Sequence, residues 1–153
     1  MNDIVISAMT RADLAEVLEV ERAGFIHPWS EAMILAELDK PQARIDLLRL
    51  DGHLAGYLCS WFLCGELHIL NVVTGLEFRR LGVARRLLEN AIERCRCQGL
   101  ERVLLEVRVS NAAAIGLYES FGFLRDGVRK GYYPDGEDAL LMSLSINYVP
   151  PCD

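Results

Sequence analysis

A mixed α/β sheet with helices on both faces is the fold class that this 153-residue sequence predicts. Three observations carry the prediction. A meander of apolar strands turns at Asp51-Gly52 and again at Cys64-Gly65, and an Asp-Gly pair between two such runs is a strong hairpin signal. The apolar period then changes from two to the helical spacing at Val83, Leu87, Leu88, Ala91, Ile92 and Cys95. A strand–helix–strand crossing follows, and joining a meander to such a crossing implies a mixed sheet with helices on both faces. A doubly wound dinucleotide fold would alternate strand and helix from the start and carry a Gly-rich first turn, and the chain does neither.

Taken in order, the elements are as follows. Ile4 to Ala8 reads as a short strand. Thr10 can cap a helix with Asp13 near its positive end, and Leu14, Val17 and Leu18 carry the apolar stripe toward Glu21 and Phe25. His27-Pro28-Trp29-Ser30 breaks that helix, and Ser30 caps a second one that stops before Pro41. Arg44 to Leu50, Leu54 to Phe62 and Glu66 to Thr74 are the strands of the meander. The long amphipathic helix ends at Gly99. Arg102 to Val107 is a strand, Ser110 or Asn111 caps a helix to about Ser120, and Phe121-Gly122-Phe123 opens a strand pair that closes with Ala139 to Ile146. Tyr132 to Gly136 lies in the connection of that pair.

Length fits one domain over residues 1–153, with its core at about 4–147. A hydrophobic content of 52% excludes a disordered chain, and no apolar run is long enough to span a bilayer. Residues 1–11 lack the apolar stretch of a signal peptide, so a cytoplasmic location is expected. The five cysteines show no metal-like spacing, and reduced thiols without a metal site are the expectation. A net charge of −6 argues against nucleic-acid binding and no membrane partner is expected. Within this acidic chain Arg79, Arg80, Arg85 and Arg86 form a local basic cluster.

That cluster sits where a strand ending in Val72-Val73-Thr74 meets the amphipathic helix. The start of a helix offers unpaired N–H groups and a positive dipole end, which suits a diphosphate. Gly82 and Ala84 are small enough to let main chain approach such a group. An ordinary strand-to-helix connection with solvated arginines accounts for the same residues equally well. A Walker loop is excluded, because the Gly-Lys-Ser/Thr ending is missing.

A second segment interrupts an apolar strand with a carboxylate. Alternation puts Val103, Leu105 and Val107 on one face and Leu104 and Glu106 on the other. Burial raises the pKa of such a carboxyl and makes it a stronger base near neutral pH. The competing reading of Glu106 is an ion pair with Arg108 or another basic group. Tyr118 follows on the next helix at core spacing with Leu117 and Phe121, and simple packing is its competing reading. His27, His53 and His68 show no ligand spacing and no chemistry is assigned to them.

Arg79-Arg80-Leu81-Gly82-Val83-Ala84 resembles the Q/R-x-x-G-x-G/A signature of the GNAT acetyltransferases, with Ala84 where Gly is commoner. Leu105-Glu106-Val107-Arg108, Ser110-Asn111, Ala114, Leu117-Tyr118 and Gly122-Phe123 resemble the branch of that family that acetylates the N-terminal alanine of ribosomal proteins. Pro28-Trp29-Ser30, Tyr132-Tyr133 and Glu137-Asp138-Ala139 agree with the same branch, so the likeness spans nearly the whole chain. The resemblance implies the GNAT fold, a mixed, mostly antiparallel sheet with helices on both faces in which two central parallel strands splay apart. It also implies acetyl-CoA as co-substrate, with Val72, Val73 and Thr74 along the pantetheine arm, Arg79 to Ala84 on the pyrophosphate and Asn111 as a further contact. Glu106 is then the general base and Tyr118 the general acid, while Trp29, Tyr132 and Tyr133 line the path of a protein N-terminus. A lysine side chain or small amine as acceptor, or an acyl-CoA-binding module without catalysis, stays open at this level.

Overall fold

A computed structural model describes residues 3–25 and 27–147. Cys152, one of the five cysteines, lies outside these described residues. The elements come in the expected order: β1 (Ile4–Ala8), α1 (Leu14–Gly24), α2 (Glu31–Leu38), β2 (Ala43–Leu50), β3 (His53–Leu63), β4 (Glu66–Thr74), α3 (Val83–Arg96), β5 (Arg102–Arg108), α4 (Ala112–Ser120), β6 (Leu124–Arg129) and β7 (Ala139–Ser145). Short 3-10 turns at Arg11–Asp13 and Leu76–Phe78 were not signalled by the sequence pattern. No described helix is long and apolar enough to cross a membrane.

The strands form one seven-stranded sheet in the order β1-β2-β3-β4-β5-β7-β6. Every pairing is antiparallel except that of β4 with β5. The first hairpin turns where expected, with Asp51 at φ 49° and Gly52 at φ 84°, the left-handed pair that matches strand twist. Two apolar clusters cover the two faces. Leu87, Leu88, Ala91 and Ile92 of α3 pack with Leu58, Leu67, Val103 and Leu105 on one face. Val17, Leu18 and Ile34 of α1 and α2 pack with Ile45, Leu47, Tyr57 and Val73 on the other.

Polar contacts fix where the helices sit. Asp46 is fully buried and accepts from Arg44 Nε at 2.7 Å and Arg94 Nη1 at 2.6 Å, which ties α3 to β2. Ser30 caps α2 as expected, its Oγ accepting from Met33 N at 3.2 Å. Asn111, not Ser110, caps α4 through Ala114 N at 3.2 Å. Phe121-Gly122 does not open a strand but closes α4, and β6 starts at Leu124. Gly122 at φ 99° lets Gly122 N reach Glu119 O and Phe123 N reach Tyr118 O, with the Tyr118 and Phe123 rings 5.6 Å apart.

The cysteine expectation needs one correction. Cys59 and Cys95 are free thiols sealed in the core and Cys64 is free at the surface, but Cys97 is disulfide-bonded. Cys97 is exposed at the end of α3, whereas Cys59 and Cys95 are buried.

Gly56 on β3 faces Thr74 on β4, and a Cβ there would run into the carbonyl oxygen of Val73. Gly56→Ala is therefore expected to lower stability by about 1–3 kcal/mol, the usual cost of overpacking. Urea denaturation measures it, and an unchanged midpoint would mean that β3 and β4 have slack at this point.

Candidate active site

The site begins where β4 and β5 stop pairing. Their parallel register runs from Glu66↔Arg102 to Ile69↔Leu105 and goes no further. Beyond it β4 continues to Thr74 against β3, and β5 continues to Arg108 against β7. Each strand thus keeps one satisfied edge and turns the other toward its former neighbour. A bulge marks the fork, for Cys59 faces Asn71 and Ser60 faces Ile69, which leaves Leu70 as the extra residue. Between the diverging strands lies a cleft of about 440 Å³.

Glu106, Tyr118, Val72, Asn111, Trp29 and Tyr133 all line this cleft. Tyr118 enters from the α4 side. Its ring is held by the end of α4 against Phe123, and its hydroxyl has no hydrogen-bond partner among the described residues. Burial, with a smaller push from Tyr133, moves its pKa up to about 12, so the phenol keeps its proton at neutral pH. Asn111 Oδ1 is used by the helix cap, which leaves its amide N–H groups for the cleft.

Glu106 has a partner that the sequence did not reveal. Its Oε2 lies 2.8 Å from His68 Nε2, with the two side chains 20% and 34% exposed. Arg108 turns away to Asp135 at 2.8 Å and Glu137 at 2.9 Å. The expected rise in the Glu106 pKa is therefore reversed. The His68 hydrogen bond outweighs desolvation and lowers it, with further help from the His68 and Arg129 charges. His68 moves the opposite way, raised chiefly by the same hydrogen bond against the cost of burial. The absence of ligand spacing left His68 without assigned chemistry. Its contact depends on the β4–β5 register, which no local pattern encodes.

A second missed residue is Glu21, fully buried and also lining the cleft. Tyr57 Oη donates to its Oε1 at 2.6 Å and Asn71 Nδ2 donates to the same oxygen at 2.8 Å. Oε2 has no partner. The signal was present, since Leu14, Val17, Leu18 and Glu21 share one helical stripe and a carboxylate on it faces the core.

The loop between β6 and β7 forms one wall. Arg108 stacks over the Tyr133 ring at 4.1 Å, and Glu137 accepts from Ser110 N at 3.0 Å, so the loop is tied to the β5–α4 turn. Tyr133 reaches the cleft, whereas Tyr132 stays at the surface with its ring edge on Tyr133 at 5.1 Å.

The remaining expected residues lie beyond this cleft, toward the start of α3. Val73 is buried against α1 and α2, and Thr74 is half-buried at the end of β4. Arg79, Arg80 and Leu81 are exposed, Val83 is buried and Ala84 is half-buried. Arg80 at φ 65° and Gly82 at φ 76° bend the chain into α3, whose N-terminus has no side-chain cap. A Cβ on Gly82 would meet nothing within 4 Å. Arg79, Arg80 and Arg86 make no ion pair among the described residues. Unpaired N–H groups, open space and uncommitted guanidinium groups fit a diphosphate.

The sequence pattern of the acetyltransferase (GNAT) family matches residues 14–123. A candidate ribosomal protein bS18-alanine N-acetyltransferase of Bacillus subtilis is 40% identical over 141 residues, 91% of this chain and 93% of its own. The ribosomal protein bS18-alanine N-acetyltransferase of Salmonella typhimurium is 34% identical over 145 residues, 93% of this chain and 97% of its own. The crystal structure of the ribosomal-protein-S18-alanine N-acetyltransferase from Escherichia coli superposes with a TM-score of 0.88 at 34% identity, covering 97% of this chain and 96% of that one.

The electrostatics of the fork can be read by NMR. The His68 imidazole is expected to titrate above the ordinary histidine range, and Glu106→Gln should bring it down. A His68 titration that ignores this substitution would show that the two side chains are not bonded in solution.

Proposed function

The chain belongs to the acetyltransferase (GNAT) family, and from that membership we propose that it acetylates the α-amino group of a protein N-terminus, alanine in first place, on a ribosomal protein. The names of the relatives support the acceptor. The single observation that supports the mechanism is that Glu106 and Tyr118 line one cleft, at the fork of β4 and β5.

Acetyl-CoA supplies the acetyl group as an activated thioester. The chain's own residues do the rest. Arg79, Arg80 and the first N–H groups of α3 hold the diphosphate, with Leu81 to Ala84 shaping the turn. The free edge of β4 at Val72 to Thr74 takes the pantetheine arm and offers a backbone N–H to the charge developing on the thioester oxygen. Asn111 lines the same channel from the head of α4.

A protein α-amine has a pKa of about 8, so it is largely protonated at neutral pH and must lose a proton before it attacks. Glu106, ionised at that pH, accepts the proton directly or through a water. Tyr118, still protonated, donates to the departing thiolate. No covalent enzyme species is needed, because the fork brings both reactants together. Trp29 and Tyr133 flank the acceptor's entrance, with Tyr132 behind Tyr133.

Glu106→Gln should lower kcat by about 10²–10⁴-fold and leave acetyl-CoA affinity nearly unchanged, and Tyr118→Phe should slow transfer with little loss of stability. Steady-state assays with calorimetric binding measure both. The acceptor is tested with peptides of different first residue beside lysine peptides and small amines. Preference for Ala-initiated peptides is expected, and equal or better turnover of lysine or amines would contradict the reading.

A further inference from the structure

His68 stands at the last paired rungs of the fork. In register it faces Trp61 on β3 and Leu104 on β5, and pairing ends one step later at Ile69↔Leu105. Glu106 is two residues past Leu104, already where the strands diverge. The 2.8 Å contact from His68 Nε2 to Glu106 Oε2 is thus a diagonal link across the crotch, between a strand that borders β3 and one that borders β7. Only one oxygen of Glu106 is engaged by it. The carboxylate lines the cleft and its own backbone N–H also favours its charged form, while no other side chain bonds Oε1 among the described residues.

We propose that His68 is the positioning residue of Glu106: its N–H fixes Oε2 so that Oε1 meets the incoming amine, and its imidazolium charge holds the carboxylate ionised as the medium turns acid. This rests on the reading of Glu106 as the base. A carboxylate accepts and does not donate, so the bond requires hydrogen on Nε2. A neutral Nε2–H tautomer supplies orientation alone, and the imidazolium supplies orientation and charge. When Glu106 takes the amine proton on Oε1, the Nε2–H bond to Oε2 is kept, and no other atom need move.

The surroundings leave this pair electrostatically coupled. Glu66, on the same strand, acts on His68 but is itself 3.6 Å from Arg102. Arg129 acts on Glu106, and Tyr133, raised to about 12, stays neutral beside it. Trp61 brings Glu37, which is bonded to Lys40 at 2.7 Å. Glu106 gives the largest contribution to the shift of His68, and His68 the largest to that of Glu106.

The test compares His68→Gln, which keeps an amide N–H but cannot carry charge, with His68→Leu, which keeps neither. For each, kcat with an Ala-initiated peptide at saturating acetyl-CoA is divided by the wild-type value across pH 5.5–9, a window of about 3.5 units chosen to bracket imidazole titration. The ratio cancels the amine's own titration. His68→Gln is expected to fall about tenfold at the acid end and stay within about twofold of wild type at the alkaline end. His68→Leu is expected to add a further loss of similar size at every pH. A flat ratio for His68→Gln overturns the charge role, and a His68→Leu profile equal to that of His68→Gln overturns the orienting role. Glu106→Gln in the same assay separates the two levels. If it stays active, the base assignment fails; if it is inactive while both His68 variants match wild type, only the present inference fails.

Discussion

Everything at the site depends on the parting of two strands that begin as neighbours. β4 and β5 share four rungs and then separate, each still paired on its far side. Unpaired backbone inside a protein is costly, so a fork of this kind persists only where something else meets the free edges. A co-substrate with an amide-bearing arm can do so, which couples acetyl-CoA binding to the architecture of the sheet. The bulge at Leu70 reorients β4 at the point of divergence, and Gly56 lets β3 follow it closely.

Polar side chains then define the walls of the fork. Glu21, Tyr57 and Asn71 form a buried cluster under β4, where burial and the neighbouring carboxylate both push the Tyr57 hydroxyl upward. Arg108 holds the β6–β7 loop by two carboxylates and by stacking on Tyr133. The residues proposed to move protons are treated differently. Tyr118 is kept neutral chiefly by burial, with Tyr133 adding to it, and Glu106 is kept charged by a partner that overrides burial. One cleft thus presents a protonated phenol and an ionised carboxylate, the forms that their proposed roles require.

The elements were legible because their signals are local. Asp51-Gly52 marks its hairpin, Ser30 its cap and Val83 to Cys95 its amphipathic stripe without reference to the rest of the chain. The turn proposed to hold the diphosphate is marked by a short motif, and Glu106 by its intrusion into an apolar strand. What escaped depends on distant pairing. The link from His68 to Glu106 spans 38 positions and follows from sheet register. It also reversed the expected direction of the Glu106 shift, since burial was visible in the pattern and the hydrogen bond was not. Phe121-Gly122 was misread because an aromatic–glycine–aromatic run suits a strand as well as a helix end, and only the bonds back to Tyr118 and Glu119 decide.

The most direct test is a crystal structure with CoA joined covalently to the amine of an Ala-initiated peptide. The fork account places the junction between the diverging β4 and β5, with Glu106 on its nitrogen side, Tyr118 on its sulfur side and the diphosphate at the start of α3. A junction bound away from the fork, or strands closed upon each other beyond Ile69 and Leu105, would contradict it.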